Sequence, residues 1–215
     1  MGNVTCRRYG GAGFALSDPV TQIRAERSTG ITIEGVGSLD IAGQHDLKSA
    51  LERLHMIDAT LEANVVVEKV APQHVGLGSK SSLILGALAA TVLANGKSVS
   101  PNLLQTVSGR GGASGVGINS FFCGGFVTDG GHAHVQGANL VPSSARRPTD
   151  IPPVLCHISI PPQWNFHLLL PKGVRFSGQS ELDFFAKNTP IPKAEILEAI
   201  GLSTTVSLRQ LRPGI

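Results

Sequence analysis

The feature that most constrains this chain is a glycine- and serine-rich loop between two apolar segments. Residues 65–70 (VVVEKV) predict a strand, and residues 83–93 (LILGALAATVL) predict a buried helix. The intervening residues 72–82 (PQHVGLGSKSS) contain two glycines and three serines. Glycine lets a backbone approach a phosphate closely, and the first amides of a helix have no partner within it. The loop therefore predicts an anion site, although an ordinary turn capped by serine fits the same residues.

A second stretch, residues 108–119 (SGRGGASGVGIN), has five glycines, two serines and Arg110. Ordering so much glycine implies close backbone approach or positive φ angles. A guanidinium in such a loop suits bidentate contact with phosphate or carboxylate. Because the apolar residues 121–127 follow, we expect the stretch to border the core and to form a second anion site. Asp129 comes next, in a D-G-G-H sequence. Two interpretations of this residue stay open, a position that binds metal or substrate and a solvated turn.

Composition excludes several classes of protein. The 215 residues are 41% hydrophobic and 15% charged, which is typical of a globular chain. The net charge of +3, without a basic run carrying aromatics, gives no indication of nucleic-acid binding. The three cysteines form no C-x-x-C pair and predict buried thiols. With no apolar run of about 18 residues and no secretory signal, we expect a cytoplasmic protein that contacts no membrane.

The flanking segments carry simpler patterns. Residues 21–27 and 31–34 alternate polar and apolar side chains and predict a β-hairpin. Asp46 is predicted to cap a helix that contains Leu47, Ala50, Leu51 and Leu54. Residues 95–96 (NG) predict a helix end, and residues 100–101 (SP) predict the start of the next helix.

The C-terminal third predicts more core. Residues 166–170 (FHLLL) predict a buried strand, preceded by Trp164 as a packing anchor, and Phe184 and Phe185 also predict core positions. Residues 201–215 predict an irregular tail.

In order along the chain, these motifs resemble the β-ribofuranosylaminobenzene 5′-phosphate synthase family of the GHMP kinase superfamily. The resemblance runs from about residue 8 to about residue 200. The matching pieces are residues 10–15 (GGAGFA), 18–19 (DP), 74–79 (HVGLGS), 109–117 (GRGGASGVG), 124–132 (GGFVTDGGH), 162–164 (PQW) and 177–181 (SGQSE). The block from residue 109 to residue 132 is the specific part.

The resemblance implies an α+β fold of the GHMP-kinase or ribosomal S5 domain 2-like type, with a mostly antiparallel sheet packed by helices. It implies an N-terminal phosphate-binding domain over residues 1–160 and the start of a C-terminal domain over residues 161–200. Family members have an extra strand before the first glycine cluster and continue well past residue 200, so an incomplete C-terminal domain is expected. They also usually carry Gly-Thr-Gln where this chain has Lys80, Ser81 and Ser82.

The resemblance further implies a transferase that joins a para-substituted benzoate to phosphoribosyl pyrophosphate, with release of pyrophosphate and CO2 and with Mg²⁺. A homodimer is possible. Two alternatives stay open: an ATP-dependent small-molecule kinase and a non-catalytic homologue. The kinase ranks lower because Gly117 stands where kinases of the superfamily commonly carry a catalytic aspartate.

The candidate site residues follow from these motifs. Arg110 and Asp129 are the catalytic candidates, and Asp129 is also the candidate Mg²⁺ ligand. The candidates for phosphate or substrate binding are His74, Gly76, Leu77, Gly78, Ser79, Lys80, Ser81, Ser82, Gly109, Gly111, Gly112, Ser114, Gly115 and Gly117. His132 could also touch substrate, whereas His132 and His134 alone make a poor metal site.

Overall fold

The computed structural model describes residues 2–4, 7–133, 140–142, 148, 150–170, 173 and 178–210, with the backbone alone at 2–4 and 203–210. These residues contain nine strands and six α-helices. The strands are β1 (Gly2–Val4), β2 (Arg7–Tyr9), β3 (Gly11–Phe14), β4 (Gln22–Arg27), β5 (Thr32–Glu34), β6 (Ala63–Lys69), β7 (Phe126–Asp129), β8 (His132–Ala133) and β9 (Val154–Ile158). The helices are α1 (Ile41–Ile57), α2 (Ser79–Ala94), α3 (Pro101–Ser108), α4 (Val116–Cys123), α5 (Gln179–Asn188) and α6 (Lys193–Gln210).

The chain divides into two compact units. One is Leu16–Arg110, and the other combines Met1–Ala15 with Gly111–Ile215. The borders of these units fall at residues 15 and 110. The domain boundaries expected at residues 160 and 200 stay predictions.

The unit Leu16–Arg110 is built on the sheet β4-β6-β5. β6 pairs antiparallel with β4 and parallel with β5, so β6 lies between the two strands that were predicted to form a hairpin. That prediction is wrong. The turn after β4 does form, with Gly30 at φ +95°, but β5 continues into α1, and α1 is the crossover that returns the chain as a parallel strand.

Helix α1 begins earlier than the sequence predicted. Its N-cap is Asp40, whose carboxylate accepts a hydrogen bond of 2.6 Å from the Gly43 amide. The prediction of Asp46 as the cap is therefore wrong, because Asp46 lies within the second turn of α1. The predicted inward face is confirmed, since Leu47, Ala50, Leu51 and Leu54 are all fully buried.

Helix α2 forms the centre of this unit, packed against β4, β6, α1 and α3. Its fully or almost fully buried apolar side chains are Leu83, Ile84, Leu85, Ala87 and Leu88. The predicted boundaries after it are confirmed. Asn95 caps the C-terminus of α2, and Ser100 caps α3 with a proline in its first turn.

The second unit contains two antiparallel sheets, β1-β2-β8 and β3-β7-β9. Helix α4 packs on β3 and β7. A Cβ on Gly13 of β3 would lie 2.7 Å from the Val116 side chain, so this close packing requires a glycine. Among the described strands only β5 and β6 pair in parallel, so a mixed α+β fold with mostly antiparallel pairing forms as predicted.

The C-terminal third corrects three predictions. Residues 164–170 lie in no described strand, and Trp164 and Phe166 are 46% and 44% exposed. Phe184 is half exposed on α5, where no residue is buried. α6 continues through Gln210, so residues 201–210 are helical rather than irregular. No proline and no glycine after Gly201 interrupts the chain before Pro213.

Candidate active site

The loop between β6 and α2 leaves the start of α2 without a side-chain cap. Gly78 is the N-cap at φ +63°, and no described side chain accepts from the amides of the first turn. Gly76 has a φ of +79° with open space around it, and both glycines are exposed. Positive φ is the reason for glycine at these two positions. A serine-capped turn is therefore not what forms, and the amides of the first turn, with the positive end of the helix dipole, remain available to an anion.

Arg110 extends to this helix start from the end of the same unit. Its Nε donates to Ser81 Oγ at 3.3 Å, and its backbone amide donates to Ser108 Oγ at 3.2 Å. Ser81 is buried in the first turn of α2. The structure thus brings the arginine of the second glycine stretch to the first stretch. The sequence predicted both residues but not their contact.

Two acidic residues, one at the N-cap of α1 and one within α1, contact side chains of this loop and of the first turn of α2. Lys80 Nζ lies 2.7 Å from Asp46 Oδ2, and His74 Nε2 lies 3.2 Å from Asp40 Oδ2. The Gly43 amide lowers the pKa of Asp40, and so, to a smaller extent, do His74 and Lys80. Sequence reasoning missed both acidic residues in this role. Asp40 was detectable as a cap residue directly before the apolar pattern of α1.

The second glycine stretch packs closely, as its composition predicted. Gly111 has a φ of +89°, and a Cβ there would lie 2.6 Å from Ile118 Cδ1. A Cβ on Gly115 would lie 2.6 Å from Pro152 Cβ. Both glycines are buried, so close packing explains them without any ligand.

Asp129 lies buried at the start of α4. Its Oδ2 accepts from the Gly115 amide at 3.2 Å and its Oδ1 accepts from the Gly131 amide at 2.8 Å, and the residue is 4% exposed. Burial raises the pKa of this carboxyl, and the backbone hydrogen bonds partly oppose the rise. Asp129 is therefore not a solvated turn residue.

This environment does not fit a Mg²⁺ ligand. Magnesium needs carboxylate oxygens and room for several waters, whereas both oxygens of Asp129 already accept from the backbone. Within the described residues no group of three metal-binding side chains occurs. The requirement for Mg²⁺ stays a prediction.

The predicted site residues fall into both units. The unit Leu16–Arg110 holds His74, Gly76, Leu77, Gly78, Ser79, Lys80, Ser81, Ser82, Gly109 and Arg110. The other unit holds Gly111, Gly112, Ser114, Gly115, Gly117 and Asp129. In it Gly117 lies in the first turn of α4, and Ser114 Oγ accepts from the Val116 amide at 3.2 Å. His134, the second histidine weighed for a metal, lies outside the described residues.

Comparison with known proteins gives three relatives that share one name. A curated protein of Methanocaldococcus jannaschii is 32% identical over 200 residues, which cover 87% of this chain and 60% of the relative. Curated proteins of Archaeoglobus fulgidus and Methanothermobacter thermautotrophicus are 31% and 29% identical, over 88% of this chain and 58% and 59% of their own lengths. All three are named beta-ribofuranosylphenol 5'-phosphate synthase. This chain is related to that synthase family. No protein-family model matches it.

The relationship confirms the resemblance to the synthase found in the sequence, whereas membership of the GHMP kinase superfamily stays a prediction. The chain spans about 60% of the length of the curated synthases that it matches. None of the described helices is long and apolar enough to cross a membrane.

Proposed function

We propose that the chain performs the phosphoribosyl transfer of the synthase family, with the donor's phosphate held at the start of α2. The observation that carries the proposal is the Arg110–Ser81 contact. It places a guanidinium beside an uncapped helix start that two exposed glycines leave open. Lys80 adds a second cation in the same turn.

The proposed transfer requires both the free amides of the helix start and the guanidinium. The bond between ribose C1 and the pyrophosphate oxygen breaks, and a bond forms between C1 and a ring carbon of the acceptor. The bond from that ring carbon to its carboxylate breaks and releases CO2. Negative charge grows on the departing pyrophosphate, so fixed amides and a guanidinium stabilise the transition state more than the bound donor.

The name of the relatives suggests which acceptor to test first. A ribofuranosylphenol product carries a hydroxyl on its ring, so para-hydroxybenzoate is the first para-substituted benzoate to test, and para-aminobenzoate is the second. Contact of the second glycine stretch with the same donor stays a prediction. The residues predicted to make it are Gly111, Gly112, Ser114, Gly115 and Gly117.

The test is turnover by the full chain. Phosphoribosyl pyrophosphate and carboxyl-labelled para-hydroxybenzoate are supplied with Mg²⁺, and both pyrophosphate and labelled CO2 are measured. Equal amounts of the two products are expected.

A second incubation, with ATP and hydroxylated metabolites, separates the alternatives. Phosphorylated product without pyrophosphate release from the ribosyl donor contradicts the proposal in favour of a kinase. A folded chain that neither binds the donor nor turns it over indicates a non-catalytic homologue.

A further inference from the structure

His132 is the most completely enclosed histidine among the described residues. It is fully buried on the short strand β8, and its ring packs edge-on against Tyr9 with 6.2 Å between the ring centroids. Its Nε2 lies 2.6 Å from the Gly111 carbonyl oxygen, and its Nδ1 lies 2.8 Å from Asp150 Oδ1. A buried ring with both nitrogens engaged does not reach substrate, so the expectation that His132 could touch substrate is not what this geometry supports.

The Gly111 contact fixes the orientation of the ring. A backbone carbonyl can only accept, so Nε2 must carry a hydrogen and donate it. A second hydrogen lies between Nδ1 and the Asp150 carboxyl group. Each ring nitrogen thus has one hydrogen-bond partner. Without the Nε2 donor, the buried Gly111 carbonyl oxygen would lose its hydrogen bond, which would destabilise the folded protein.

The backbone around His132 is held in place from the other side. Arg7 donates from Nε to the Gly130 carbonyl oxygen and from Nη2 to the Gly131 carbonyl oxygen, both at 2.5 Å. A Cβ on Gly131 would lie 2.0 Å from the Arg8 carbonyl oxygen, so the turn before His132 closes against β2. Tyr9 has a left-handed φ of +64°, which is rare for a bulky side chain and marks a position that its surroundings impose.

We propose that His132 is a positioning residue that fixes the glycine stretch 111–115 through the Gly111 carbonyl. Gly111 has a φ of +89° and directly follows Arg110 in the chain, so this stretch has little conformational preference of its own. The His132 hydrogen bond adds a restraint on the Gly111 carbonyl to the packing of Gly111 and Gly115 against Ile118 and Pro152. Only the purpose of the ordered stretch rests on the proposed function, because the restraint itself is measured without substrate.

Two substitutions at position 132 separate the two contacts. In His132→Gln the side-chain amide reaches the place of Nε2 and retains the donor to Gly111, whereas His132→Asn places its amide near Nδ1 and retains only the Asp150 contact. Amide hydrogen exchange of residues 111–115, followed by mass spectrometry, is expected to stay near wild type in the Gln variant. In the Asn variant it is expected to rise at least tenfold. Equal exchange in the two variants, or faster exchange in the Gln variant, overturns the proposal.

Two controls distinguish restraint from simple loss of stability. Val127→Ala removes buried methyl groups from β7 of the same unit, and Asp150→Asn alters the Nδ1 partner while the Nε2 donor stays in place. Both are expected to leave the exchange of residues 111–115 within about threefold of wild type, because neither substitution removes the Nε2 donor to the Gly111 carbonyl oxygen. Local loosening in either control as large as in His132→Asn contradicts the proposal.

The wild-type protein gives a test that needs no variant. The Nε2 hydrogen of His132 is expected to appear in nitrogen-edited NMR spectra as a resonance protected from exchange with water. Exchange as fast as that of His45, which is 75% exposed, overturns the proposal. Donor binding is then measured separately by calorimetry with phosphoribosyl pyrophosphate. Its absence in wild type contradicts the proposed function and leaves the His132 result intact.

Discussion

Arg110 Nε donates to Ser81 Oγ at 3.3 Å, across 29 residues of sequence. The contact places a charged group from the end of one unit on the first turn of α2. Neither residue is distinctive alone, since arginines and serines are common at protein surfaces. Together they place a cation beside the uncapped helix start, where we propose that the donor's phosphate binds.

The first prediction concerns Arg110 itself. Arg110→Ala removes charge-assisted hydrogen bonds worth about 1.5–3 kcal/mol, so the affinity for phosphoribosyl pyrophosphate is expected to fall about 10- to 100-fold. Arg110→Lys keeps the charge without the planar fork and is expected to lie between the two. Calorimetry with Mg²⁺ present measures all three proteins.

Arg24→Ala is the matched control for that experiment. This guanidinium lies on β4 in the same unit and is half exposed, where it pairs with Glu26 and Glu68. Unchanged donor affinity in Arg110→Ala, or equal losses in both variants, would contradict the assignment.

The second prediction has the opposite sign. Asp46 pairs with Lys80 at 2.7 Å and places a negative charge near the predicted phosphate. Asp46→Asn releases Lys80 and removes the repulsion, so donor affinity is expected to rise about 2- to 5-fold, which corresponds to the 0.5–1 kcal/mol typical of a partly exposed charge pair. Glu52→Gln, on the same helix and paired with Lys48, is the control and is expected to change nothing. Weaker binding by Asp46→Asn would show that Lys80 needs its acidic partner in the bound state.

The third prediction compares two glycines of the unit Leu16–Arg110. Gly35 has a φ of +74°, and a Cβ there would lie 2.2 Å from the Val67 carbonyl oxygen. Gly35→Ala is therefore expected to lower the free energy of unfolding by more than about 2 kcal/mol. Gly86 lies inside α2 with its nearest neighbour at an ordinary 3.4 Å, so Gly86→Ala is expected to raise it by about 0.5–1 kcal/mol. Urea denaturation of both variants tests the contrast, and a stabilised Gly35→Ala would refute it.

The fourth prediction concerns pH and Asp129. Burial raises the pKa of this carboxyl in the folded protein above its ordinary value of 3.8, so the folded state binds the proton more tightly than the unfolded state. The stability of the wild type is then expected to fall as pH rises from 3.8 through the raised value. Asp129→Asn does not titrate there, so the stability advantage of wild type over this variant is expected to shrink as pH rises above 3.8. Unfolding curves across this range measure the difference, and a constant or growing advantage would show that the carboxyl is not desolvated.

Local signals were sufficient for the elements that local chemistry fixes. The end of α2 at Asn95 and the start of α3 at Ser100 were predicted, because cap residues act through their own backbone neighbours. The apolar face of α1 was predicted from its spacing. Gly111 and Gly115 were expected to mark close packing of the backbone. The side chains of Ile118 and Pro152 pack against them.

Long-range pairing was not predictable in the same way. Strands β4 and β5 look like a hairpin, yet β6 lies between them, because a strand's partner depends on the whole sheet and not on the turn beside it. The apolar residues 166–170 predict a strand, but no described strand pairs with them.

The sequence by itself determined the kinship with the synthases and the glycine-rich loop that begins α2, since both depend on residue identity and local backbone freedom. Only the tertiary structure decided that Arg110 contacts Ser81, that Asp46 pairs with Lys80, and that the buried Asp129 carboxyl accepts from the Gly115 amide. Such contacts join residues distant in sequence. Their geometry follows from how helices and strands pack, which no local pattern of residues encodes.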